Sequence, residues 1–66
     1  MNAKDILTQV YNTLQEGGYD ASRQLRDYLI SGDPAFIADY KGARTLICSA
    51  EREQLISLLL SCYFGA

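Results

Sequence analysis

Apolar residues recur along this chain at three- and four-residue intervals, the spacing of one face of an α-helix. The first such stripe lies in residues 3–16 and consists of Ile6, Leu7, Val10, Tyr11 and Leu14. A second stripe follows, made of Ala21, Leu25, Tyr28 and Leu29. Since no stretch alternates polar and apolar residues as a strand does, we expect an all-α fold. The prediction is one domain over residues 1–66, a compact bundle of four to five short helices.

Glycines and capping residues mark the predicted helix ends. Gly17 is predicted to end the first helix in the left-handed conformation, and Asp20 to cap the start of the second. Gly32 then ends the second helix, Asp33 caps the next, and Pro34 takes its first position, where a missing N–H costs nothing. A phosphate-binding loop needs more glycines and a lysine after a strand, so this stretch is predicted to be helix punctuation.

The second half of the chain allows two interpretations. A short third helix is expected around Phe36, Ile37 and Tyr40, with an interruption at Gly42. Ser49 is then expected to cap a last helix, whose first turn holds Glu51 and Glu53 near its positive end. The alternative is one bent helix over residues 42–63. We expect the break near Ser49.

The last helix is apolar on more than one side, whereas a surface helix needs only one apolar stripe. A chain of 66 residues buries little surface, and a hydrophobic content of 48% is high for that size. We therefore expect a twofold homodimer formed by helical packing. The candidate interface residues are Leu58, Leu59, Tyr63 and Phe64. The apolar run of residues 55–64 is too short to span a membrane.

The chain offers little for catalysis or metal binding. It has no histidine, which removes the commonest general base, and Cys48 has no base to activate it. We expect no enzyme, no cofactor and no metal. Nothing resembles a secretory signal, so Cys48 and Cys62 are expected to be reduced, mostly buried thiols of a cytoplasmic protein. Whether these two thiols meet stays open.

The charge pattern bears on possible partners. The net charge is −2 and no basic run exists, which disfavours nucleic acid as a partner. The alternative function is a nucleic-acid-binding dimer that uses a cluster of arginines, namely Arg23, Arg26, Arg44 and Arg52. Arg44 and Arg52 share a face if their helix is continuous. They either pair with acids of this chain or form a surface for a phosphorylated or acidic partner.

Two threonines of the first helix are candidate phosphorylation sites. Thr8 falls well away from the apolar stripe and Thr13 lies on its flank, so both are expected to face solvent. A phosphate on Thr8 would lie near the helix N-terminus, where negative charge is favourable. The alternative is that both are ordinary surface threonines.

The order of these blocks resembles the IreB family over nearly the whole chain. The stretch of residues 10–53 carries Ser31-Gly32-Asp33-Pro34, Ala43-Arg44 and Glu51-Arg52 at the family's spacings, and a leucine-rich helix with Tyr63 follows. No single block is specific, but the combination is.

The resemblance implies a small helical homodimer in the cytoplasm of low-GC Gram-positive bacteria. It implies a regulatory phosphoprotein, the substrate of a transmembrane Ser/Thr kinase that senses the cell wall, which restrains cephalosporin resistance. No catalytic residues come with the family. Its phosphorylated threonines lie in an N-terminal tail, and we expect this chain to be a short form without it. Thr8 and Thr13 do not occupy those family positions. The predicted function is that of a non-enzymatic regulatory or adaptor protein, with a Ser/Thr kinase or another regulatory protein as partner.

Overall fold

The computed structural model describes residues 1–65, and it is all-helical over that range, as predicted. Its elements in chain order are α1 (Ala3–Glu16), α2 (Ala21–Ser31), a 3₁₀ helix (Pro34–Phe36), α3 (Ala43–Cys48) and α4 (Arg52–Phe64). The described residues contain no strand.

The core lies along one face of α1, which packs against α2, α3 and α4. From α1 it takes Ile6, Val10 and Leu14, spaced four residues apart. The other elements add the fully buried side chains of Ile37, Ile47 and Leu55. The predicted stripe of the first helix is therefore the inner face of the helix that the others surround.

The end of α1 differs by one residue from the prediction. Gly17 is the C-cap residue, but its φ of −76° is right-handed, and Gly18 takes the left-handed conformation with φ 81°. The Gly17 N–H still donates to the Thr13 carbonyl, 3.1 Å away. The helical hydrogen bonding therefore extends through Gly17, and the left-handed residue follows it. The Tyr19 N–H then donates to the Leu14 carbonyl, which completes a Schellman motif.

The second helix begins and ends as predicted. Asp20 Oδ1 accepts from the Arg23 N–H at 3.2 Å, and Gly32 is left-handed with φ 77°. Asp33 Oδ1 then accepts from the Ala35 N–H at 2.9 Å, at the start of the 3₁₀ helix, and Pro34 is its first residue. The Gly-Asp-Pro sequence is a helix stop and start.

The expected third helix is a single 3₁₀ turn. Phe36 is 46% exposed, while Ile37 is completely buried on extended backbone. Two side chains hold this segment: Gln24 Oε1 accepts from the Ala38 N–H and Arg44 Nε donates to the Ile37 carbonyl, both at 2.9 Å. These tertiary bonds hold the chain extended and direct Ile37 into the core.

The break near Ser49 is confirmed, and the alternative of one bent helix is wrong. The expected cap is also wrong, because Ser49 ends α3 and does not start α4. Its hydroxyl donates to the Leu46 carbonyl at 2.6 Å, one turn back. The N-cap residue of α4 is Glu51, whose side chain makes no capping bond. Ala50, buried in the core, lies between the two helices.

Replacing Asp33 with alanine should lower the free energy of unfolding by about 1 kcal/mol, because the Ala35 N–H loses its acceptor. The measurement is urea unfolding followed by circular dichroism. Asp33→Asn is the matched control, since it keeps an acceptor oxygen and should retain most of the stability. Equal losses in both variants would show that the carboxylate charge matters and the cap does not.

Candidate functional site

The most distinctive surface feature is an apolar groove between α1, α2 and α4, with a volume of about 670 Å³. Because α1 packs against both α2 and α4, it forms the floor, and the other two helices form the walls. We call this feature the α1–α2–α4 groove. Its aliphatic lining consists of Leu7, Leu25, Leu29, Ile30, Ile56, Leu59 and Leu60.

Four aliphatic side chains on the walls of the groove are left in contact with water. The exposed fraction is 76% for Ile30 and 53% for Leu60. It is 44% for Leu59 and 40% for Ile56. Single exposed leucines are ordinary on protein surfaces, but a contiguous apolar patch commonly marks an interaction site. This surface is therefore the candidate functional site.

Only one of the four predicted interface residues lines this groove. Leu59 does, whereas Leu58 is half-buried in a different hollow, which it lines with Met1 and Ile6. Tyr63 and Phe64 are 83% and 70% exposed near the end of α4, with ring centroids 4.8 Å apart. Of the α4 residues, only Leu55 is buried.

The sequence pattern missed Ile30, Ile56 and Leu60. Ile30 falls outside the α2 stripe, and an apolar residue on the polar side of an amphipathic helix was the signal that could have identified it. Ile56 and Leu60 belong to a helix whose sequence is apolar on several sides. Only the packing of Leu55 against the core shows which of those sides remains open.

Arg44 and Arg52 lie on different helices because the chain breaks after Cys48. Both guanidinium groups bind within the fold. Arg44 Nε donates to the Ile37 carbonyl at 2.9 Å, and its Nη1 lies 4.0 Å from Asp39 Oδ2. Arg52 Nη1 donates to the Leu29 carbonyl at 3.0 Å. Their role as a partner surface stays a prediction.

The contact of Arg52 with α2 joins the two walls of the groove. A Cβ atom added at Gly32 would lie 2.7 Å from Arg52 Cζ, so the guanidinium covers the space that a side chain there would need. The start of α4 is thereby tied to the end of α2, and we call this contact the Arg52 clasp. It fixes the separation of the groove walls at one end.

The remaining arginines give the nucleic-acid alternative no support. Arg23 Nε and Arg26 Nε lie 3.9 Å and 3.2 Å from the carboxylate of Asp27. Each arginine of the proposed cluster thus has a carboxylate or carbonyl partner in its own chain. These contacts favour internal pairing over a shared basic surface.

A comparison with protein families matches the family model of the IreB regulatory phosphoprotein to residues 1–65. The chain belongs to the IreB family. The resemblance seen in the sequence blocks is therefore confirmed. Family membership supports a regulatory, non-enzymatic role. None of the helices described in residues 1–65 has the length and apolar content needed to cross a bilayer.

The two candidate phosphorylation sites of this IreB family member lie in different surroundings. Thr8 is exposed and lines the α1–α2–α4 groove. Thr13 is half-buried and lies outside that groove, in a shallow hollow along α1 together with Gln9 and Asn12. Thr8 thus faces solvent as expected, whereas Thr13, on the flank of the apolar stripe, does so only in part.

The expectation of buried thiols is also wrong. Cys48 and Cys62 are both exposed and free. Cys48 is the last residue of α3, where the helix leaves the core, and Cys62 lies on the outer part of α4. The Cys48 thiol lies close to Tyr28, whose side chain is buried. Burial first, and then this contact with Cys48, raise the pKa of the Tyr28 phenol above its ordinary value.

Gly32→Ala should destabilise the protein by about 1 kcal/mol more than Gly18→Ala, when both are measured by urea unfolding. Both glycines have positive φ, but only Gly32 faces a side chain, and the displaced Arg52 loses its bond to Leu29. In an Arg52→Ala background the two substitutions should cost the same. An unchanged difference in that background would remove the Arg52 clasp from the explanation.

The stability of the fold should fall above about pH 10, where the unfolded tyrosines ionise. Because the folded pKa of Tyr28 is raised, its contribution is complete below the unfolded pKa and is lost as pH climbs through the folded one. Tyrosinate absorbance should show a last-titrating component that Tyr28→Phe removes. Tyr63→Phe, at an exposed position, is the control and should leave that component in place.

Proposed function

We propose that this IreB family member is a non-enzymatic regulatory or adaptor protein of the cytoplasm that acts as a twofold homodimer. We place the interface at the α1–α2–α4 groove. A Ser/Thr protein kinase is the partner proposed for its regulation. The observation that carries the proposal is the exposed aliphatic lining of this groove, in a chain from a family of regulatory phosphoproteins.

A second copy suits this groove because its α4 wall is an apolar strip that can pack against the same strip of another copy. The strip is formed by Ile56, Leu59, Leu60 and Tyr63, which repeat at three- and four-residue spacing on one side of the helix. A twofold interface needs a self-complementary surface, and a strip that borders a groove of the same chemistry meets that need.

The arrangement that follows is two α4 helices packed antiparallel across the twofold axis. Tyr63 of one copy then lies near Ile56 of the other, since these residues mark opposite ends of the strip. Ile30 is placed to cover the outer side of the partner helix. Tyrosine at such a position can bury its ring and keep its hydroxyl in water.

This arrangement changes the expected interface in part. Leu59 and Tyr63 remain in it, Phe64 borders it, and Leu58 leaves it because it faces a different hollow. Ile30, Ile56 and Leu60 enter. The proposal accounts for the apolar residues of α4 on both sides, since Leu55 faces the core and the strip faces the second copy.

Sedimentation equilibrium over a dilution series should give a mass near twice 7.4 kDa for the unaltered chain. Leu59→Glu should raise the dimer dissociation constant at least tenfold, because a carboxylate would be buried in an apolar interface. Gln54→Glu is the control. It adds the same charge to an exposed position on the opposite side of α4, and it should leave the dimer unchanged.

Circular dichroism of both variants establishes that the helices remain. A mass of 7.4 kDa at every concentration would refute the homodimer. A dimer that Leu59→Glu leaves intact would refute the groove as its interface while leaving self-association standing. Equal weakening by Leu59→Glu and Gln54→Glu would point to net charge as the cause.

A further inference from the structure

We propose that phosphorylation of Thr8 and occupation of the α1–α2–α4 groove by a second copy exclude one another. The proposal rests on the proposed homodimer and assigns its regulation to one side chain. Phosphorylated Thr8 would hold the protein as a monomer, and the dimer would shield Thr8 from modification.

The position of Thr8 carries the argument. It is exposed on α1 and lines the groove together with Leu7 and Tyr11 of the same helix. Thr8 also borders the shallow hollow that contains Thr13, so it lies at the rim of the groove. Ser22 is the other aliphatic hydroxyl residue of the lining, and it lies on α2.

A phosphate at this position opposes an apolar partner for two reasons. It carries close to two negative charges at neutral pH, and covering it with aliphatic side chains removes its water without supplying donors. The groove lining also contains Arg26, whose only described partners involve Asp27 at the surface. A phosphate paired with Arg26 would sit across the groove between α1 and α2.

The chemistry needs a nucleoside triphosphate and a protein kinase. The Thr8 hydroxyl oxygen forms a bond to the γ-phosphorus, the bond from that phosphorus to the β–γ bridging oxygen breaks, and nucleoside diphosphate leaves. The hydroxyl proton passes to a base of the kinase. A phosphatase reverses the modification with water and releases inorganic phosphate.

The test uses the full chain made by chemical synthesis in three forms: unmodified, phosphorylated at Thr8, and phosphorylated at Thr13. The two phosphorylated chains have the same mass and charge and carry the group on the same helix. Sedimentation equilibrium should give a dimer for the unmodified and Thr13 forms. The Thr8 form should show a dissociation constant at least tenfold higher, and phosphatase treatment should restore the dimer.

Three outcomes would overturn the proposal. They are a Thr8 form as dimeric as the unmodified chain, equal weakening in the Thr8 and Thr13 forms, and failure of phosphatase to restore the dimer. If circular dichroism shows that the phosphate unfolds α1, Thr8→Asp against Thr13→Asp repeats the comparison with a smaller charge. An unmodified chain that is monomeric refutes the proposed homodimer itself, a result distinct from the three above.

Discussion

The burial of one face of α1 is the constraint on which the rest of this structure depends. In this 66-residue chain α2, α3 and α4 all pack against the same central helix. Ile6, Val10 and Leu14 form the line that they share. Because α1 lies between α2 and α4, these two helices flank a groove whose far side this chain leaves open. The groove is a consequence of packing several short helices on one.

The sequence predicted most accurately where the determining interactions are local. Asp20, Gly32 and Asp33 act within three or four residues of themselves, and their roles followed from residue type alone. Errors arose where two neighbouring residues could serve the same role. The left-handed residue after α1 is Gly18, whereas Gly17 was predicted. Ser49 could cap the end of the helix before it or the start of the helix after it. In the structure its hydroxyl donates to the Leu46 carbonyl of α3, and the buried Ala50 separates it from α4.

Long-range contacts set the limits of prediction for the candidate site. The Arg52 clasp joins residues 23 positions apart, and no spacing rule links Arg52 to Leu29. The same holds for Ile37, which Arg44 and Gln24 hold in an extended segment where the sequence suggested a helix. The composition of α4 predicted apolar residues on more than one side, but which side stays exposed depended on which side Leu55 fixes against the core. Arg44 and Arg52, chosen from the sequence as a candidate partner surface, each donate to a backbone carbonyl that the sequence does not link to them.

In the proposed homodimer, the groove and Thr8 together would give a small regulatory protein a simple form of coupling. Linkage requires that whatever a modification does to self-association, self-association does to the equilibrium of that modification by the same factor. Coupling of this kind needs no hinge motion within the chain. Phosphorylation would be coupled only to whether one wall of the groove is exposed to water or covered by a second copy. The coupling does need walls held at a fixed separation, which the Arg52 clasp supplies at one end and α1 supplies along the floor. In the proposed homodimer, these contacts are what would let a single charge at the rim of the groove decide whether a second copy fits.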